Sequence, residues 1–238
     1  MVVGASSGMG AAVAKAISND ETTVILLARR EEQLRLVQKE LRGESIVYAC
    51  DVCDYTQISS FFDFLKEKKI LLSAMIYTAG ICFVKPIKAM EAGELDRMFA
   101  VNVFGFYEMC RHFQSPGVSV KGASIVAFSS YASVTKESGM SAYAMTKTAM
   151  NTSVQVMAKE FSKRRIRVNA ILPANTVSKM GQIEDVWSDD EKKAISEVQP
   201  LGLIEFEEIV EVVSFLISDM SAHVTGTLIE ISAGYKGV

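Results

Sequence analysis

Short, almost wholly apolar runs alternate along this chain with longer amphipathic stretches. Val24-Ile25-Leu26-Leu27, Ile46-Val47-Tyr48-Ala49, Ala74-Met75-Ile76-Tyr77, Ile125-Val126-Ala127-Phe128, Val168-Asn169-Ala170-Ile171 and Leu228-Ile229-Glu230-Ile231 read as strands, and Met1-Val2-Val3 as a short one ahead of a glycine-rich turn. Mostly continuous apolar runs predict parallel strands covered on both faces. Between them, helical patterns span 31–42, 56–68, 93–113, 141–162 and 205–218. This alternation predicts an α/β fold, a doubly wound parallel sheet of about seven strands with helices on both faces. Ligands in such sheets sit beyond the carboxyl ends of the strands. Gly4 to Gly10, Asp51, Ala79-Gly80, Ser130 and Pro173 all fall at that edge.

Composition narrows the class. The 238 residues, 49% of them apolar, can bury a substantial core as one domain over 1–238. A net charge of −3 gives no electrostatic basis for a nucleic-acid partner. The uncharged stretch from Ile70 to Val84 is too short to span a bilayer and is interrupted by Ser73, Thr78 and Gly80. No basic segment precedes the apolar N-terminal residues, so they do not read as a signal peptide. A soluble, cytoplasmic protein without a membrane partner is the expectation.

Cys50, Cys53, Cys82 and Cys110 show no disulfide-framework spacing. Cys50-Asp51-Val52-Cys53 is formally C-x-x-C, but no second such pair accompanies it and the histidines, His112 and His223, lie far apart. Two reduced thiols at a strand end, with no metal, are therefore expected. The same scarcity of histidine weakens a Ser-His-Asp hydrolase, for which no nucleophile-elbow motif is present either.

Two motifs carry chemistry. Tyr143-Ala-Met-Thr-Lys147 places a phenol and an amine four residues apart on one helix face, with the Ser130 hydroxyl upstream. An ammonium beside a tyrosine favours the phenolate, so Lys147 is expected to draw the Tyr143 pKa down toward neutrality. Near the other end, Gly4, Ser6, Ser7, Gly8, Met9 and Gly10 form a G-x-x-x-G-x-G turn between a strand and a helix. Such a turn brings backbone N–H groups and a positive helix end against a pyrophosphate.

In order and spacing, Gly4, Gly8 and Gly10, then Asn102 in Val101-Asn102-Val103, then Ser130, then Tyr143 and Lys147 resemble the short, single-domain branch of the short-chain dehydrogenase/reductase family, over essentially the whole chain. The similarity includes the 3-oxoacyl-carrier-protein reductases. It implies a Rossmann-like fold and an oxidoreductase that moves hydride between NAD(P)(H) and a carbonyl or secondary alcohol. Tyr143 would be the acid or base, Lys147 would tune it and bond the nicotinamide ribose, Ser130 rather than Ser129 would hold the substrate oxygen, and Asn102 would position a water. Asp51 and Val52 would take the adenine, and Ala79-Gly80 the turn after the fourth strand, although Tyr77-Thr78 stand where the family has Asn-Asn. Pro173, Thr176 and Ser178 would lie beside the nicotinamide, with Ala174 in place of the family's Gly raising the question of a shifted loop. Arg29 and Arg30 replace the acidic residue of NAD-preferring members and suit a 2′-phosphate, so NADP(H) is favoured over NAD(H). Family members often assemble as tetramers through the helices that hold Asn102 and Tyr143, so a homo-oligomer, tetramer or dimer, is implied. The alternative is a nucleotide-binding sensor or structural protein of the same fold with little turnover.

Substrate identity is expected from the segment 179–203, where Met180, Ile183, Val186 and Trp187 could form the apolar face of a lid over a hydrophobic carbonyl compound. The charged run Ser188-Asp189-Asp190-Glu191-Lys192-Lys193 would face outward. Lys121 and Lys163-Arg164-Arg165 resemble carrier-docking positions of the 3-oxoacyl-carrier-protein reductases, while a basic helix end is favoured by the helix dipole in any case.

Overall fold

The computed structural model describes residues 1–177 and 187–236. Its strands are β1 (Val2–Val3), β2 (Val24–Ala28), β3 (Ser45–Ala49), β4 (Leu72–Tyr77), β5 (Ser119–Phe128), β6 (Arg167–Pro173) and β7 (Leu228–Ile231). The helices are α1 (Gly8–Ile17), α2 (Glu31–Gln38), α3 (Tyr55–Glu67), α4 (Ala92–Phe99), α5 (Gly105–Phe113), α6 (Ala132–Thr135), α7 (Ser141–Glu160), α8 (Asp189–Val198) and α9 (Phe206–Ile217). Among the described residues these strands form one seven-stranded sheet in the order β3-β2-β1-β4-β5-β6-β7, paired in parallel throughout. This is the Rossmann-like, doubly wound arrangement that the apolar runs predict. The winding reverses between β1 and β4, so a crevice opens beyond their carboxyl ends.

Strand alternation sends successive side chains to opposite cores. Met75 and Tyr77 of β4, with Ile125 and Ala127 of β5, join Phe61, Phe106 and Val154 on the face covered by α3, α5 and α7. Ala74 and Ile76, with Val126 and Phe128, join Val13, Leu34 and Val213 on the face covered by α1, α2 and α9. Both sets are buried, which is why the strand sequences show so little polarity.

Two boundaries differ from the sequence pattern. Helix α2 stops at Gln38 instead of reaching residue 42. The Gln38 amide turns to Ser45 at the start of β3, the Arg42 amide donates to Ser18 Oγ, and Gly43 at φ +67° turns the chain. The predicted 93–113 helix is α4 and α5 joined by a π-helical turn, Ala100–Phe104, centred on Asn102. An inserted π turn is a common device for presenting a side chain from inside a helix.

Strand β1 has only two residues, yet it lies inside the sheet between β2 and β4 and is fully buried. Its carboxyl end is fixed by close backbone approach. Gly4 N–H donates to Leu27 O at 2.7 Å, and Thr78 donates to Val3 O from both its amide and its hydroxyl at 2.8 Å. A Cβ on Gly10 would lie 2.3 Å from Gly4 O and 2.5 Å from Thr78 Oγ1. Gly10→Ala is therefore expected to lose about 1–3 kcal/mol of stability through overpacking. Gly8 has φ +53° but open space around a Cβ, so Gly8→Ala should cost only the conformational strain, about 1 kcal/mol. Urea midpoints at constant m-value measure both.

Candidate active site

The carboxyl ends of the strands surround a cleft of about 870 Å³, within the roughly 300–1,000 Å³ range of small-molecule sites. One end has the geometry of an anion site. Ser7 precedes α1 in an extended conformation and its side chain does not cap the helix, so the first N–H groups of α1 are left for another acceptor. The Gly4–Gly10 turn passes under this end with Ser6, Ser7, Gly8 and Met9 on the cleft wall. Here the open space beside Gly8 matters, since a side chain would fill that site. Exposed Arg29 and Arg30 follow β2, and Asp51 and Val52 follow β3. The Asp51 Oδ1 accepts from Cys53 N–H at 3.0 Å, which fixes the carboxylate orientation.

Farther along the cleft stand the residues of the second motif. Tyr143 and Lys147 share one face of α7 and are buried, with the Lys147 Nζ 5.5 Å from the phenol ring centroid. Ser130, at the end of β5, is hydrogen-bonded through its side chain to Tyr143. The neighbouring serine has another role: Ser129 Oγ donates to Lys147 O at 3.3 Å and packs β5 against α7. Lys147 Nζ donates to Phe128 O at 2.7 Å.

Electrostatics differ from the sequence expectation in one respect. Burial pushes the Tyr143 phenol well above its ordinary range, with the Cys82 thiol adding to it and the Ser130 hydrogen bond opposing. Burial also lowers the Lys147 ammonium to about 8. Lys147 thus does not draw the tyrosine down in this state, since burial is the largest influence on both groups and disfavours the charged form of each.

Asn102 is fully buried and reaches across to the loop after β4. Its Oδ1 accepts from Ile81 N–H at 2.8 Å, and its Nδ2 donates to Ile81 O at 2.9 Å and to Thr146 Oγ1 at 3.0 Å. A Cβ on Gly80 would lie 3.5 Å from Asn102 Oδ1 and 3.6 Å from Lys147 Nζ, so Ala79-Gly80 pass close to both. The residues in place of Asn-Asn carry their own hydrogen bonds. Thr78 ties to β1 as described, and Tyr77 Oη donates to Val101 O in the π turn at 2.6 Å. Gly105 makes room for that phenol, since a Cβ there would sit 2.9 Å from Tyr77 Oη.

Beyond β6, Pro173 and Thr176 line the cleft together with Ala174 and Asn175. Ala174 stays out of the positive-φ region and extends the β6–β7 pairing by donating to Ile231 O at 3.0 Å. The loop is held by the fully buried Gln199, which accepts from Asn175 N–H at 3.1 Å and donates to Asn175 O at 2.9 Å. Ser178, Met180, Ile183 and Val186 lie outside the described residues. Trp187 reaches the cleft wall and donates from Nε1 to Thr176 O at 2.7 Å, while the following charged run is exposed on α8.

Sequence reasoning missed part of the wall. Ile81 and Cys82 could have been found as the continuation of the turn after β4, whereas Val84, Met140 and Phe206 carry no local signal. The C-x-x-C thiols are both free and no metal-binding cluster of His, Cys, Asp and Glu occurs among the described residues. Lys121 and Arg165 lie at the amino ends of β5 and β6, at the opposite edge of the sheet from the cleft. Arg164 donates to Gln114 O and to Ser119 instead of projecting freely.

A parallel sheet wound in this order, with a glycine cradle at its switch point and a Ser-Tyr-Lys cluster opposite, defines a nucleotide-dependent oxidoreductase architecture. Comparison with known proteins agrees: residues 4–236 match the family described as Enoyl-(Acyl carrier protein) reductase. The chain belongs to the short-chain dehydrogenase/reductase family of oxidoreductases, whose members use an NAD(P)(H) cofactor. It is 30% identical to L-xylulose reductase of Bos taurus, over 99% of this chain and 95% of that protein. It is 29% identical to a 3-oxoacyl-(acyl-carrier-protein) reductase of Thermotoga maritima, over 98% of this chain and 96% of that protein. Its fold resembles a short-chain type dehydrogenase/reductase from Mycobacterium ulcerans, with a TM-score of 0.89 at 24% identity over 98% of this chain and 87% of that one.

The Tyr77–Val101 bond and the gap at Gly105 make one packed unit. Tyr77→Phe is expected to cost about 1–3 kcal/mol by removing a buried hydrogen bond. Because it also removes one of the two atoms that a Cβ on Gly105 would meet at 2.9 Å, the other being Val52 O, it should reduce the further cost of Gly105→Ala, a coupling of at least about 0.5 kcal/mol in a double-mutant cycle.

Proposed function

We propose that this protein transfers hydride between NADP(H) and a carbonyl or secondary alcohol, with Tyr143 as general acid or base. The observation that carries this reading is the placement of the bonded Ser130–Tyr143 pair and the buried Lys147 on the wall of the cleft that holds the glycine cradle. The cradle residues Gly4, Ser6, Ser7, Gly8, Met9 and Gly10 would hold the pyrophosphate. Asp51 and Val52 would take the adenine, Arg29 and Arg30 the 2′-phosphate, Tyr143 and Lys147 the nicotinamide ribose, and Ala79, Gly80, Pro173, Thr176 and Ser178 the nicotinamide. When bound, the reduced nicotinamide supplies the hydride.

In carbonyl reduction the carbonyl carbon gains a hydride with its two electrons, and the oxygen gains the phenol proton of Tyr143. The products are a secondary alcohol and the oxidised nicotinamide, and Tyr143 recovers its proton from solvent. Ser130 donates to the same oxygen as negative charge develops. The Lys147 ammonium stabilises the phenolate left behind. Asn102 fixes the Ile81 peptide beside Lys147 and would position a water that links the lysine to solvent. Burial that keeps Tyr143 protonated supports its role as the acid. That the bovine and Thermotoga maritima relatives are both named as reductases supports the reaction type.

The chain is further read as one cytoplasmic domain over 1–238 that acts as a homo-oligomer. No helix among the described residues is long and apolar enough to cross a membrane. Half-exposed Phe104 and Tyr107 beside the Asn102 turn, and Met145 and Val156 on α7, support assembly through those helices.

Tyr143→Phe should lower kcat for NADPH-dependent ketone reduction by roughly 10²–10⁴-fold while cofactor binding is retained. For the unsubstituted protein, kcat/KM for NADPH should be flat below about pH 8. Above that it should fall about tenfold per unit as Lys147 loses its charge. Turnover indifferent to Tyr143→Phe, or a profile flat to high pH, counts against these roles. Replacing Arg29 and Arg30 by alanine should weaken NADPH roughly 10–100-fold and leave NADH nearly unchanged, as titrations of both cofactors would measure.

A further inference from the structure

The cleft is chemically divided. Its nucleotide end is polar and basic, with Arg29, Arg30, Asp51 and the N–H groups of α1. Once the residues proposed to hold cofactor and reacting oxygen are set aside, the side chains left around the Tyr143 end are largely apolar. Ile81, Cys82 and Met140 pack with Tyr143, Val84 stands beside Gly139, and Trp187 and Phe206 complete the apolar part of the cleft wall. Apart from Tyr143, none of these carries a charge, an amide or a hydroxyl. The Ile81 N–H and C=O are both bonded to the Asn102 side chain, and the Trp187 indole N–H is bonded to Thr176 O. The Cys82 thiol is pushed up to about 11 by burial and stays neutral. Asn175 lines the cleft too, but Gln199 engages both its backbone and its side chain.

Val84 adds a second indication, because it is 66% exposed at the rim while Gly139 packs against its side chain. An apolar group held at a cleft mouth favours an apolar visitor over water. The nearby Lys85 ammonium is already paired with Glu94.

We propose that the substrate is an uncharged, largely apolar ketone, or the corresponding secondary alcohol, whose hydrocarbon body lies against Ile81, Val84, Met140, Trp187 and Phe206. This rests on the oxidoreductase reading above. Among the described side chains of this end, the hydroxyls of a polyhydroxylated ketose would find few partners to replace the water they lose. Among the described residues of this part of the wall, a carboxylate or phosphate would meet Lys147 and no other cation.

The test compares 2-decalone, L-xylulose and acetoacetyl-coenzyme A as NADPH-dependent substrates. It also titrates 2-decalone and L-xylulose into the NADP-loaded protein while following the fluorescence of Trp187, the chain's one tryptophan. The expected result is a kcat/KM for 2-decalone roughly 100-fold above that for either polar compound. Only 2-decalone should perturb Trp187. Val84→Asp should lower kcat/KM for 2-decalone about tenfold or more with KM for NADPH unchanged. Reduction or binding of L-xylulose or the thioester as good as that of 2-decalone overturns the proposal, as does a Trp187 signal that 2-decalone leaves unmoved. If 2-decalone alone titrates Trp187 and nothing is reduced, the apolar site stands and the oxidoreductase reading falls.

Discussion

Everything in this molecule hangs on how closely three backbones approach at the sheet's switch point. Val3, Gly4 and Thr78 lie so near one another that Thr78 bonds Val3 O twice, and Gly10 has no room for a methyl group. That contact seats α1 directly behind β1, which is what aims its uncapped N–H groups into the crevice. It also sets the direction in which β4 delivers Ala79, Gly80 and Ile81 toward α7. A two-residue strand suffices because pairing on both sides and complete burial make it part of a larger unit.

Much of this was legible in the chain. Apolar runs without alternation gave the parallel sheet, because a strand covered on both faces has no solvent side to mark. The glycine turn and the Tyr143/Lys147 spacing were readable because each requires particular residue types at fixed separation. The ends of α2 and the π turn at Asn102 were not, since both are decided by distant partners: Ser45 and Ser18 for the first, Tyr77 and Ile81 around the second. The lowered Lys147 and raised Tyr143 were hidden for the same reason. Proximity in sequence announces attraction, but burial, which acts in the opposite sense here, is a property of the fold.

Tyr77 shows how a departure from a family pattern can be absorbed. A phenol is much larger than an asparagine side chain, and its oxygen reaches the π turn only because Gly105 leaves a gap beside Val52. The result braces the turn that carries Asn102, so the loop after β4 is anchored by different chemistry. Ala174 is accommodated more simply, in ordinary extended backbone that prolongs the β6–β7 ladder.

Gln199 gives the region beyond β6 a particular freedom. By clasping the Asn175 peptide on both its N–H and its C=O, it brings the chain back to the point from which it left, and Thr176 pairs with Ile204 alongside. The stretch between Asn175 and Gln199 is therefore a closed excursion whose ends are fixed by the body of the protein. Lengthening such an excursion costs little, about 0.6 kcal/mol for each doubling. One buried amide thus closes the two ends of this stretch on each other, so a change of length between them need not be felt by the sheet on either side.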